Sequence, residues 1–340
     1  MNDLNNLCLG DTMYSNFFGF SVKPFELTPD PRFCYQTHGV REIISTIIYG
    51  IRERRGFIAI IGEPGTGKTT LLNAALDKLD REIIKYALIQ NIGISFKDTL
   101  HEILVQLELA KIEEKLTKSK MIMRLKHFAM QQFEKGGNVA IVLDEAQNFS
   151  LSNLENLRLL SNLETRQHKL IQIVLAGQPE LERKLKEPRL RQLAQRITLK
   201  ARTSPFNEKD TFEYIKHRLE VARYNGAPLF GNKAKQLIWA HSQGVPRKIN
   251  VLCDTALVIG YANDRKRIDS SIVKVAIQDH DWEASEESYR SSEDSLQGEQ
   301  IPQLEKRSFF RTFAKIVGIL ILVSFLIAAF LFYRNSLLPN

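Results

Sequence analysis

The chain has 340 residues, 44% hydrophobic and 25% charged, with 18 Gly and 11 Pro; this balance excludes a wholly disordered, collagenous or disulfide-stapled protein. Its length suggests about two domains. Three cysteines, Cys8, Cys34 and Cys253, form no CxxC pair, which excludes a zinc ribbon and indicates a reducing compartment. The net charge of +8 divides into +9 over residues 1–282, −6 over 283–305 and +5 over 306–340; its sign fits a phosphate-bearing substrate, an anionic lipid surface or nucleic acid.

In chain order, the opening MNDLNNLCLGDTMY has no basic region followed by an apolar core, so no secretory signal is predicted. Apolar runs at 57–62 (FIAIIG), 83–89, 139–143 (VAIVL) and 171–176 read as buried parallel strands, with a last strand expected at 197–200. Helical periodicity fills the intervals 69–79, 96–109, 119–134 and 151–163. In the last of these, leucines at 151, 154, 157, 160 and 163 make a stripe too short for a zipper, which should pack on the sheet. The alternation predicts a doubly wound α/β core. Beyond 207 the strand signals stop, and 207–224, 232–241, 248–261 and 270–281 read as a small helical domain. Residues 283–308, rich in Ser, Glu and Gln, cannot bury enough surface to offset ordering entropy and are expected to be a flexible tether. Residues 313–333 enclose the charge-free run IVGILILVSFLIAAFLF, long enough to span a bilayer once Lys315 snorkels. Lys306, Arg307, Arg311 and Lys315 precede this run and only Arg334 follows, which places the N-terminal body in the cytoplasm and leaves 334–340 as a short periplasmic tail.

The strongest chemical signal is the loop Gly62-Glu63-Pro64-Gly65-Thr66-Gly67-Lys68-Thr69-Thr70, a GxxxxGK[ST] match between a strand and a helix. Its glycines let backbone N–H groups curl round an oxyanion, and the following helix turns its positive end to the phosphates. Lys68 is expected to reach the β- and γ-phosphates of ATP, and the Thr69 hydroxyl to ligate Mg²⁺. The VAIVL strand ends in Asp144 and Glu145, at the sheet edge where open α/β folds bind ligands. Asp144 suits a magnesium partner and Glu145 a residue that orients the attacking water. Gln178, at the end of the 171–176 strand, is either a turn former or a holder of that water or sensor of the γ-phosphate. In the basic stretch 183–202, Arg191 and Arg196 each have the reach to serve as an arginine finger on a neighbouring subunit's nucleotide, and the sequence does not choose between them. Arg247, in a Gly244-Val-Pro-Arg sequence that opens a helix, is expected to fold back over the phosphates.

These segments together resemble the Walker A, Walker B, sensor 1 and sensor 2 elements of AAA+ ATPases: GEPGTGKTT, VAIVLDEAQ, AGQPEL and GVPRKIN. The N-terminal MYSNFFGFSVKPFELTPDPRFCY, followed by IIYGI, is similar to the general secretion pathway protein A (ExeA-like) group, over about residues 13–282. The resemblance implies an AAA+ P-loop core over 13–204, a helical lid over 205–282 and base contacts around 33–49. It also implies that residues 1–12 are an extension or a mis-start, with Met13 the start. The group's histidine falls on Val40 here, and His38 is out of register. Members of the group continue beyond the membrane into a peptidoglycan-binding domain that this sequence does not contain. The implied function is an inner-membrane ATPase, a homo-oligomeric ring such as a hexamer, that drives assembly of an envelope system such as type II secretion, a pilus or polysaccharide export with a partner protein of that complex. The alternative is a DNA-binding AAA+ ATPase of the transposition type, with which the basic body is compatible.

Overall fold

A computed structural model describes residues 13–90 and 95–279. The extension 1–12, the tether, the expected transmembrane segment and the tail lie outside the described residues. Among the described residues no helix is long and apolar enough to cross a membrane.

Five parallel strands, β1 (Phe57–Ile61), β2 (Ile84–Ile89), β3 (Asn138–Leu143), β4 (Ile171–Gly177) and β5 (Ile197–Arg202), form one sheet in the order β2-β3-β4-β1-β5. The central strands β1, β3 and β4 are buried throughout because both faces are covered, with Asn138 and Gln172 their polar residues. On β1, Phe57, Ala59 and Ile61 enter one core while Ile58 and Ile60 enter the other, the two-residue alternation of a pleated strand. The first core is filled by α4 (Phe96–Gln106), α5 (Lys118–Glu134) and α6 (Leu151–Ser161); Leu154, Leu157 and Leu160 of the stripe are fully buried there. The second is filled by α2 (His38–Arg52) and α3 (Lys68–Leu76). Because β4 lies between β3 and β1, the ends of β3, β4 and β1 stand side by side at the C-terminal edge of the sheet.

Caps set the helix starts. Thr37, Ser95, Thr117, Ser150 and Asn207 each accept a hydrogen bond from the backbone three residues on. The ends of α3, α4 and α6 fall two or three residues short of the apolar periodicity. Helix α4 stops at Gln106, and Glu108 turns left-handed at φ 59° while Leu109 N–H closes back on Leu104 O. That closure still packs an apolar residue, so periodicity runs through it without marking the stop.

The short helices α1 (Met13–Phe18), α7 (Pro179–Leu185) and α8 (Arg191–Ala194) complete the α/β part and its flanks. After β5 come α9 (Glu208–Val221), α10 (Asn232–Ser242) and α11 (Pro246–Ala262), with residues 270–279 also helical. Their core takes in Tyr14, Phe18, Phe20 and Phe25, so the aromatic N-terminal segment packs among helices nearly 200 residues later. Arg218 of α9 fixes the chain that follows: it donates to the carbonyls of Pro24 and Glu26, and its guanidinium lies 4.3 Å from the Phe33 ring centre.

Tyr14 donates to Asp254 Oδ1 at this junction, and burial pushes the Asp254 carboxyl above its usual range. A raised folded-state pKa favours folding at acid pH, and that contribution is lost as pH rises from about 4 through the folded value. Asp254→Asn keeps the acceptor for Tyr14 without the charge. Its denaturation midpoint is therefore expected to gain on wild type as the pH is raised; parallel pH profiles would show that the carboxylate is not responsible.

Candidate functional site

The loop between β1 and α3 has the shape its residues require. Gly65 and Gly67 have φ of 77° and 87°, which glycine adopts without steric cost. At Gly62 the constraint is space: a Cβ there would lie 1.7 Å from Thr203 Oγ1 and 3.0 Å from Thr203 Cβ. Thr203 follows β5 and stands 2.7 Å from the Thr66 hydroxyl, which itself donates to Glu63 O at 2.7 Å. Gly62→Ala is accordingly expected to destabilise the chain by about 1–3 kcal/mol, the scale of overpacking. Adding Thr203→Ala should recover part of that loss in a denaturant titration, and strict additivity of the two changes would contradict the clash.

Lys68 opens α3 and is 5% exposed. Its amine donates to Gly62 O at 2.8 Å and Glu63 O at 3.1 Å, within the curl of the loop. Burial pushes its pKa down, and the carboxylates of Glu145, Asp144 and Glu63 oppose the shift. Thr69, next along α3, donates to Asp144 Oδ2 at 2.5 Å, while Asp144 Oδ1 accepts from Glu145 N–H at 2.9 Å. Asp144 is 2% exposed, and burial pushes its carboxyl up. A divalent cation beside it would offset that burial. Among the described residues no three His, Cys, Asp or Glu side chains are grouped as a metal site. The donor set of one hydroxyl and one carboxylate suits Mg²⁺, which keeps waters and takes phosphate oxygens as its other ligands.

Glu145 has φ 49° and ψ 36° and lies where the end of β3 meets that of β4. Its Oε2 accepts from Gln147 Nε2 at 2.5 Å and from Gln178 Nε2 at 3.2 Å. The structure thus brings Gln178 to Glu145. Arg247 is also brought in: its N–H donates to Gly65 O at 3.1 Å, and a Cβ on Gly65 would sit 2.8 Å from Arg247 Cβ. A cavity of about 330 Å³ lies between the loop 65–71, the strap 26–35 and a cap that includes Phe206, Tyr214, Arg218 and Arg247. Val40 and Cys34 line it too, and burial pushes the Cys34 thiol up to about 11. This size is within the range of small-molecule sites.

Neither Arg191 nor Arg196 lines that cavity. Arg196 donates to Asn162 Oδ1 at 2.8 Å and to the Ser161 hydroxyl. Arg191 is exposed. Much of the basic stretch is engaged within the chain: Arg183 pairs with Glu180, Arg202 with Glu182, and Lys184 with backbone carbonyls. Sequence reasoning gave no part to Thr203, Arg218 or Gln147. Thr203 and Arg218 carry no motif; Gln147, two residues after Glu145, stood within the quoted VAIVLDEAQ.

Residues 51–185, from the end of α2 through the loop, Asp144, Glu145 and Gln178, match the AAA domain family. Over 264 residues the chain is 37% identical to General secretion pathway protein A of Aeromonas hydrophila, a match that takes in 78% of this chain. Residues 51–185 form an AAA domain. The chain spans about half of that relative's length, 48%. Two solved structures share this fold. The ORC2 protein of Aeropyrum pernix, in its ADPNP–ADP complexes, has a TM-score of 0.59 at 16% identity, over 75% of this chain and 71% of the other. A Walker-type ATPase of Pyrococcus abyssi has a TM-score of 0.55 at 16% identity, over 86% and 93%. The protein therefore has an α/β P-loop core of the AAA type.

Proposed function

We propose that this AAA ATPase is anchored in the bacterial inner membrane by residues 313–333, with its ATPase body in the cytoplasm, and that Mg²⁺-dependent hydrolysis drives assembly of an envelope complex related to the general secretion pathway. The pathway and location are supported by the similarity to General secretion pathway protein A. One observation carries the chemistry: the Thr69 hydroxyl and Asp144 carboxylate meet at 2.5 Å beside the Lys68 amine, with Glu145 next in the chain. Gly62, Glu63, Pro64, Gly65, Thr66, Gly67 and Thr70 would wrap the phosphates with their backbone, and Lys68 would leave the Gly62 and Glu63 carbonyls for the β- and γ-oxygens. Held by Thr69 and Asp144, Mg²⁺ would supply charge neutralisation on those oxygens. Glu145 orients the water and accepts its proton as the oxygen attacks the γ-phosphorus; the bond to the β–γ bridging oxygen breaks, and its electron pair leaves on ADP. Gln178 holds the same water or senses the γ-phosphate, and Arg247 brings the helices after β5 onto the loop.

The chain would work as a homo-oligomer. Arg196 is committed to Ser161 and Asn162 of its own chain, whereas Arg191 has no side-chain hydrogen bond or ion pair among the described residues. Arg191 is therefore the better arginine finger for a neighbour's nucleotide. The test uses the full chain in membrane vesicles. Mg²⁺-dependent phosphate release should sediment with the membrane, and a C-terminal tag should resist protease added from the cytoplasmic side. Digestion of the tag from that side would overturn the topology, and salt-sensitive affinity for duplex DNA without membrane association would favour action on DNA instead.

A further inference from the structure

We infer that Gln147 is a positioning residue for hydrolysis, which fixes one oxygen of the Glu145 carboxylate and ties it to Gln178, so that the other oxygen faces the water. The inference rests on the reading of Glu145 as the residue that orients that water.

Gln147 is buried in the 3-10 turn Ala146–Asn148 that follows β3. Both ends of its amide are used. Nε2 donates to Glu145 Oε2 at 2.5 Å, and Oε1 accepts the Gln178 backbone N–H at 3.0 Å. A backbone N–H can only donate, so the amide cannot flip without setting two donors face to face and leaving the carboxylate unserved. The orientation is thereby set by the network. Gly177 makes room for it: a Cβ there would lie 3.0 Å from Gln147 Oε1 and 2.8 Å from Leu181 Cδ2.

The turn is held from the other side as well. Lys184 of α7 donates through Nζ to Gln147 O at 2.6 Å and Phe149 O at 2.8 Å. Helix α7 begins directly after Gln178. A shift of Gln178 therefore carries both the Gln147 amide and the backbone of its turn. Gln178 also donates its own Nε2 to Glu145 Oε2, so two amides converge on the same oxygen. Glu145 Oε1 has no hydrogen-bond partner among the described residues. This division of labour leaves Oε1 as the atom able to take a water. If Gln178 turns its amide to a γ-phosphate, Gln147 keeps Oε2 in place. A residue that only filled the turn would not need both amide ends engaged at the two groups nearest the chemistry.

The experiment compares four forms of the full chain: wild type, Gln147→Met, Glu145→Gln and the double variant. Methionine keeps the volume and removes both polar ends. Steady-state phosphate release gives kcat and KM, and a fluorescent ATP analogue with Mg²⁺ gives Kd. We expect Gln147→Met to lose on the order of 10- to 100-fold in kcat, the scale of a misplaced reacting group, with Kd within about twofold of wild type. The double variant should be no slower than Glu145→Gln alone, because both changes act through one carboxylate. A normal kcat in Gln147→Met beside a slow Glu145→Gln would overturn this inference and leave the role of Glu145 intact. Losses that multiply in the double variant, or a Kd that weakens in step with kcat, would also overturn it, since they mark a structural role. Normal turnover in Glu145→Gln would remove the underlying reading itself. Should Gln147→Met fail to fold, Gln147→Asn is measured in its place; it keeps the amide but is too short to bridge both partners, and the same outcomes decide.

Discussion

Glu145→Gln is expected to bind Mg²⁺-ATP as wild type does and to lower kcat by on the order of 10²–10⁴-fold, the usual contribution of a positioned acid or base. The geometry separates the two effects. Lys68, Thr69 and the loop glycines are the proposed phosphate cradle, and the Glu145 side chain makes none of its bonds; its carboxylate is turned to Gln147 and Gln178. A glutamine preserves the size of the side chain, and its amide oxygen can take the place of Oε2 and keep the bonds from Gln147 and Gln178. Its NH₂ group, which can only donate, then stands where Oε1 would face the water, and the charge is removed. Binding of a fluorescent ATP analogue beside steady-state phosphate release measures both quantities. Turnover close to wild type would remove Glu145 from the mechanism, and a parallel loss of binding would place it in the cradle.

Lys68→Met is expected to abolish the stabilisation that ATP confers while leaving the nucleotide-free protein at least as stable as wild type. A ligand at 100 times its Kd adds about 2.7 kcal/mol to the folded state, which a thermal or denaturant titration resolves easily. Without the ammonium, the β- and γ-phosphates lose the one buried cation in the loop. The nucleotide-free protein behaves differently because burial pushes the Lys68 pKa down. A depressed folded value favours the neutral amine, so its contribution to stability is present above the ordinary lysine pKa of about 10.4 and is lost as pH falls through the folded value. At neutral pH the charged amine is therefore a burden on the fold, retained for what it binds. A Lys68→Met protein that still gains stability from ATP, or that is much less stable without it, would contradict this account.

Much of the site was legible along the chain because its parts are local. The FIAIIG strand, the glycines and Lys68-Thr69 are contiguous, and strand ends declare themselves by the change from apolar residues to Asp144 and Glu145. Gln178 follows the same rule on β4. The buried leucines of α6 and the five strands were readable for a related reason: periodicity reports which face is covered. The different engagement of Arg191 and Arg196 was not readable. It depends on Ser161 and Asn162 at the far end of α6, which claim Arg196 across 34 or 35 residues of sequence.

The sequence by itself determined the class of chemistry, since a triphosphate cradle needs backbone conformations and charges that a few adjacent residues supply. It also determined the order of strands and helices, because each buries a periodic apolar pattern. Only the tertiary structure decided which groups meet. Thr203 closes on Gly62 because β5 lies beside β1. The segment 14–25 joins the helices after β5 because its aromatic rings are buried there, and Arg218 fastens the strap beside the cavity. Gln147 reaches Gln178 because β3 and β4 are neighbours, though 31 residues separate the two glutamines. Such contacts follow from the register of a folded sheet, and no local pattern encodes them.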